Sequence, residues 1–225
     1  MRPEPLPCPP DPNPYRVSGR RLLYDSPWIR LREDRFLRED GSEGLYPVCG
    51  FRRTACGVLA LDDADRAVLV GQWRYPLETY TWEIVEGGGQ EDESPFDTIR
   101  RELAEEAGLE AASWEPLLYL NTSNSSTDEE TFLFLARELS PAPGGQHLDE
   151  DEVLELRREP FEACLRRVLS GEFAYSLTVA ALLAEQARRS GVRSHLEPGL
   201  QERFFQRPDT HPSPGRARWS CLEEA

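Results

Sequence analysis

Apolar and polar positions alternate early in the chain. Trp28, Ile29, Arg30 and Leu31 open such a run, which predicts a strand over 28–37, preceded by a shorter one at 21–24. Asp40-Gly41 has the chemistry of a tight hairpin turn, and residues 45–51 return from it. Two short apolar runs follow, 56–61 and 67–73, with Asp62, Asp63 and Asp65 marking a second hairpin between them. One more short strand is expected at 82–85, where Gly87, Gly88 and Gly89 break the pattern. The period then changes. Phe96, Ile99 and Leu103 recur at i, i+3 and i+7, the buried stripe of a helix. Ser94 is placed to cap it, Pro95 takes the first helical position and Gly108 follows its end. Strands are expected at 117–120 and 131–136 around a polar loop, 121–130. The acidic run 149–152 then leads into 153–156. Two helices close the pattern, 160–169 and 177–189, each followed by a glycine, Gly171 and Gly191. Strands and helices mixed in this way predict an α/β (α+β mixed) fold with helices packed on a sheet.

This core pattern stops short of both ends. Residues 1–14 are proline-rich and offer little to pack, which predicts a flexible arm. An N-terminal antiparallel β element is expected over 15–53 and the main domain over 54–192. Residues 193–225, with Pro208, Pro212 and Pro214, read as a flexible tail in which Phe204 and Phe205 are candidates for docking.

Charge narrows the possible chemistry. The chain has 225 residues with 26 basic and 41 acidic side chains, a net charge of −15. Such a balance argues against general nucleic-acid binding, which depends on Lys and Arg neutralising phosphates. An anionic small molecule remains open if a divalent metal supplies positive charge. All 26 basic residues are arginines, so lysine chemistry of the Schiff-base, Walker or Ser–Lys kind is excluded. Cys8, Cys49, Cys56, Cys164 and Cys221 contain no CxxC pair, and His147, His195 and His211 are scattered. Neither a disulfide framework nor a structural zinc site is expected, and thiols in a reducing cytoplasm are. The start of the chain lacks the apolar core of a signal peptide, and no apolar stretch approaches a membrane span.

The informative segment is 87–109, GGGQEDESPFDTIRRELAEEAGL. On a helix, Glu102 and Glu106 lie roughly 40° apart and Glu105 roughly 60° from Glu102. Like charges at i, i+4 destabilise a bare helix, so three acids in one arc are either a solvated face or the wall of a cation site. Oxygen donors alone favour Mg²⁺ or Mn²⁺ over zinc. The glycine-rich turn lets backbone approach the same place closely.

Gly87, five residues, Glu93, seven residues, then Arg101-Glu102-Leu103-x-Glu105-Glu106-x-Gly108-Leu109 resembles the Nudix box, GX5EX7REUXEEXGU with U aliphatic, at every specified position. A chance match in this chain is on the order of one in a million from average residue frequencies. The resemblance implies a Nudix-type α/β/α sandwich with a mixed sheet, and hydrolysis of a nucleoside diphosphate linked to another moiety. It implies that Glu102, Glu105 and Glu106 hold the metals, that Arg101 orients them, and that Gly87 shapes the loop. Glu105 and Arg101 thereby count as catalytic candidates.

Flanking residues are similar to the ADP-ribose pyrophosphatase branch, which includes nucleotide-sugar enzymes. Gln72-Trp73-Arg74-Tyr75-Pro76 resembles its QxRxP segment, making Arg74 a substrate contact or else an exposed strand-end arginine. Trp28, in Ser-Pro-Trp-Ile-Arg-Leu, matches by context a tryptophan that stacks on the base, or else serves a core or dimer interface. The run Asp149-Glu150-Asp151-Glu152 sits where the branch carries a loop acid that activates water, with Glu150 or Glu152 favoured against a solvated loop. Val85-Glu86-Gly87 departs from the branch's Pro-Ala-Gly, and Glu86 would offer metal its backbone carbonyl. The loop 121–128, NTSNSSTD, departs too. The resemblance implies a homodimer paired through 15–53 and a nucleoside diphosphate derivative as substrate. ADP-ribose, split to AMP and ribose 5-phosphate, leads. GDP-mannose or another nucleotide sugar is the alternative, and a non-catalytic nucleotide sensor a third.

Overall fold

The computed structural model describes residues 13–90, 92–148, 153–192 and 196–207, arranged in two units. Asp149 to Glu152, and with them the predicted bases Glu150 and Glu152, lie outside the described residues.

The first unit, built from the chain up to Arg52 and from Asn121–Glu129, carries an antiparallel sheet in the order β1-β2-β3. Its strands are β1 (Arg16–Asp25), β2 (Ile29–Leu37) and β3 (Glu43–Phe51). The Asp40-Gly41 turn forms as its chemistry requires. Gly41 takes a φ of +81°, and the Ser42 amide donates to the Asp40 carboxylate at 2.9 Å. Strand β1 runs longer than the apolar pattern at 21–24 suggests, because cross-strand pairing to β2 carries it through register shifts at Val17/Gly19 and Leu22/Tyr24.

The second unit spans Arg53–Leu120 and Glu130–His211. Its first strand, β4 (Ala55–Ala60), explains its own uninterrupted hydrophobicity. Leu59 faces a core formed with α2 (Phe161–Leu169) and α3 (Ser176–Arg189). Cys56, Val58 and Ala60 face another core formed with α1 (Pro95–Ala107). A strand covered on both sides has no solvent face to make polar. Strand β4 pairs parallel with β9 (Glu130–Pro141), Ala55 against Thr131 through Ala60 against Ala136, and antiparallel with β7 (Val85–Gly88). The full order is β7-β4-β9-β8, with β8 at Leu109–Asn121. A separate antiparallel sheet has the order β10-β5-β6, from β5 (Arg66–Arg74), β6 (Thr79–Glu83) and β10 (Glu155–Pro160). Helices thus cover both faces of a mixed β layer, the α/β/α arrangement expected.

Three local expectations are corrected. The strand expected at 82–85 is two strands in two sheets, broken at Ile84. Ile84 packs into the α2/α3 core while Val85 packs into the α1 core, so the chain must cross between layers here. The strand ends inside the glycine run rather than before it: Gly87 pairs with Cys56 and Gly88 with Ala55, and β7 stops there. The strand expected over 153–156 starts two residues later and continues to Pro160, taking its register from β5.

Residues 196–207, assigned from sequence to a flexible tail, form α4 (Pro198–Arg203) and a docked aromatic pair. Phe204 is fully buried, its ring edge-on to Phe132 at 4.9 Å and to Phe134 at 5.1 Å. Its carbonyl accepts from the Phe96 amide at 3.0 Å, tying the segment to the first turn of α1.

Candidate active site

Helix α1 is held at both ends by the residues the sequence singled out. Ser94 Oγ accepts from the Asp97 amide at 3.1 Å, and Gly108 turns left-handed at φ +62° with its amide on the Ala104 carbonyl. Ile99 and Leu103 are fully buried. The helix is therefore fixed in rotation, and Arg101, Glu102, Glu105 and Glu106 are presented beside the buried stripe.

Strand β7 meets that face at Gly87. A Cβ built on Gly87 would fall 2.1 Å from the Glu102 carboxyl carbon. The glycine is there for close approach: the Glu102 carboxylate lies on bare backbone. Arg101 gathers the acids. Its Nη1 stands 2.9 Å from Glu102 and 2.7 Å from Glu105, while Nε and Nη2 form a fork on Glu93 at 2.8 and 3.0 Å. The Arg101 bonds hold the Glu93 carboxyl below the usual carboxylate range. Glu93 also accepts from the Gln90 amide at 3.0 Å and from Thr98, so it anchors the loop to the helix. Its place in the box was legible in the sequence, but its partner was not.

The strand break supplies a second group of acids. Glu83, fully buried, accepts from Arg74 Nε at 3.0 Å and also from Arg74 Nη2 and the Thr81 hydroxyl. Glu86 is pushed well above the usual carboxylate range, first by burial and then by the negative charges of Glu83 and Glu106, against the opposing pull of Arg74 and a hydrogen bond from Tyr175. Glu106 is itself 5% exposed. The structure thus brings Glu86 and Glu106 into one electrostatic group beside Arg74. Trp28 lies in the other unit, 64% exposed, its carbonyl accepting from the Arg52 amide.

Among the described residues no three His, Cys, Asp or Glu side chains stand in ready ligand geometry. Glu102 and Glu105 are both ion-paired with Arg101. The donor set nonetheless suits a hard divalent cation. It is all oxygen, the Gly87 cradle would be filled by any side chain, and Glu86 Oε1 is buried without a hydrogen-bond partner. Glu83 and Tyr175 are the participants that sequence reasoning passed over.

Comparisons with known proteins agree with this geometry. A family model described as NUDIX domain matches residues 51–177, and one described as nucleoside diphosphate sugar hydrolase N-terminal domain matches 16–48. An ADP-ribose pyrophosphatase of Mycobacterium tuberculosis is 32% identical over 138 residues, 61% of this chain and 67% of that protein. An ADP-ribose pyrophosphatase of Bacillus subtilis is 37% identical over 128 residues, 57% of this chain and 69% of that protein. A crystal structure of an ADP compounds hydrolase superposes with a TM-score of 0.72 at 20% identity, covering 80% of this chain and 96% of that one. With glutamates grouped over a bare glycine and a matching domain across more than half its length, the chain belongs to the Nudix family and is a Nudix hydrolase.

Proposed function

We propose that this chain hydrolyses the pyrophosphate bond of ADP-ribose, giving AMP and ribose 5-phosphate, with Mg²⁺ or Mn²⁺. The observation that carries the reading is the Glu102 carboxylate lying on Gly87 within reach of Arg101 and beside Glu105 and Glu106. Glu102, Glu105 and Glu106, with the backbone of Glu86, would hold the metal. When bound, such an ion neutralises the diphosphate and lowers the pKa of a water. Arg101, ion-paired with Glu102 and Glu105, orients the glutamates. Arg74, braced by Glu83, contacts the phosphates, and Trp28 offers an aromatic face for the base. A carboxylate of the 149–152 run, Glu150 or Glu152, takes the proton of the attacking water.

The relatives' printed names support ADP-ribose over other substrates. The match of residues 16–48 to a nucleoside diphosphate sugar hydrolase module favours a second reading, a nucleotide sugar such as GDP-mannose. Turnover of ADP-ribose, GDP-mannose and a dinucleotide polyphosphate, side by side with Mg²⁺ and with products identified by mass, decides. We expect AMP and ribose 5-phosphate from ADP-ribose at the highest kcat/KM. A higher kcat/KM for GDP-mannose replaces the first reading with the second. We also propose a cytoplasmic homodimer paired through 15–53. Phe36 is the one buried hydrophobic side chain among the described residues of the first unit, while Leu22, Leu23, Tyr24 and Leu45 are exposed. A sheet with so little core of its own gains by pairing.

A further inference from the structure

The start of α3 is pinned to the strand break in two places. Thr178 Oγ1, fully buried, accepts from the Ile84 amide at 3.1 Å. One turn earlier, the Tyr175 phenol hydrogen-bonds the Glu86 carboxylate. The Tyr175 ring also faces Arg74, whose guanidinium carbon lies 5.2 Å from the ring centroid. The guanidinium is also engaged by buried Glu83. Arg74 thus has two partners, the Glu83 carboxylate and the Tyr175 ring. Its side chain keeps 30% exposure.

We propose that Tyr175 is a positioning residue for substrate binding: its ring holds the Arg74 guanidinium in the orientation that meets the substrate's diphosphate. The inference rests on Arg74 being a phosphate contact. A bare arginine side chain samples many rotamers, and ordering it on binding weakens affinity. A ring in cation–π contact with the guanidinium reduces that freedom beforehand, and the remaining N–H groups stay available for phosphate oxygens. Neither Tyr175 nor the helix it precedes belongs to the box, and the N-cap position of α3 carries no motif in the sequence. Only the tertiary contact marks it.

The test is a double-mutant cycle on purified full-length enzyme with ADP-ribose and saturating Mg²⁺. Tyr175→Leu is expected to raise KM about fivefold, the scale of a lost cation–π contact, with kcat within about twofold. Tyr175→Phe keeps the ring and is expected to hold KM within about twofold of wild type. In an Arg74→Ala background, Tyr175→Leu is expected to have no further effect on KM. An unchanged KM in Tyr175→Leu overturns the inference, and so does the same rise in both backgrounds. Arg74→Ala alone separates the two levels: if it leaves KM unchanged, the phosphate contact itself fails. Circular dichroism melts accompany each variant. If Tyr175→Leu does not fold, Tyr175→Phe against Tyr175→His in both backgrounds carries the comparison, with the KM rise expected for His and confined to the Arg74 background.

Discussion

At the scale of single residues, the box is a steric fact before it is a chemical one. Glu102 occupies the space that a side chain on residue 87 would take. Gly87→Ala should therefore displace the Glu102 carboxylate without unfolding the strand, and turnover should fall by about a hundredfold, the effect of an ångström-scale misplacement. Steady-state kinetics with a far-UV spectrum checks this; wild-type turnover would contradict it. Glu102→Gln and Glu106→Gln remove charge while keeping shape, and each should lower kcat by about a hundredfold or more. Isothermal titration of Mn²⁺ should show weakened metal binding in both. Glu102, Glu105 and Glu106 were legible in the sequence because helical spacing gathers them in one arc and the box spacing separates that arc from a merely solvated face, and Arg101 was legible through the box alone. Glu93 as the fork partner of Arg101, and Glu83 as the brace of Arg74, were not, because each pairs across a loop or hairpin whose closure no local pattern encodes.

At the scale of elements, capping chemistry was readable and packing partners were not. Ser94, Pro95 and Gly108 mark the ends of α1 because backbone donors and a left-handed turn impose local rules. Gly108→Ala should destabilise the fold. The position is left-handed, and a Cβ there would lie 2.8 Å from the Gln146 amide nitrogen. The C-terminal segment is the opposite case. Its composition reads as a tail, yet Phe204 fills the face of the sheet between Phe132 and Phe134. Phe204→Ala should lower stability by about 3 kcal/mol, as deletion of a fully buried aromatic does. Chemical denaturation measures it, and a change below about 0.5 kcal/mol would show that the segment does not stay docked.

At the scale of the molecule, an all-arginine set of cations meets an excess of acids, and the structure concentrates that pairing on α3. Glu185, 1% exposed, is approached by Arg137 at 2.8 Å, Arg188 at 2.9 Å and Arg189 at 3.0 Å. Burial raises its pKa, but the hydrogen bonds from Arg189 and Arg188 outweigh burial and hold it below the usual range. A carboxyl depressed in the folded state stabilises the fold above its unfolded pKa, near 4.3, and loses that contribution as pH falls through the lower folded value. The Glu185 contribution, read as the melting-temperature difference between wild type and Glu185→Ala, should be flat from about pH 7 to 5 and shrink below about pH 4.5. Glu185→Ala, which leaves three arginines without their shared acceptor, should destabilise at neutral pH by about 3 kcal/mol and flatten the acid limb. Among the described residues no helix is long and apolar enough to cross a membrane. For the proposed dimer, light scattering should give twice the 25.6 kDa chain mass.

The order of strands and helices, the caps of α1 and the arc of glutamates follow from the sequence alone, since periodicity, backbone stereochemistry and fixed spacing act within a few residues. Tertiary structure decided the rest: that the strand breaks at Ile84 to feed two cores, that Gly87 and Gly88 lie inside β7, that 196–207 packs, and that Glu83, Glu86, Arg74 and Tyr175 meet. Those outcomes depend on which distant surfaces exclude water together and on which charges are buried side by side, and such free energies do not exist until the chain has closed on itself.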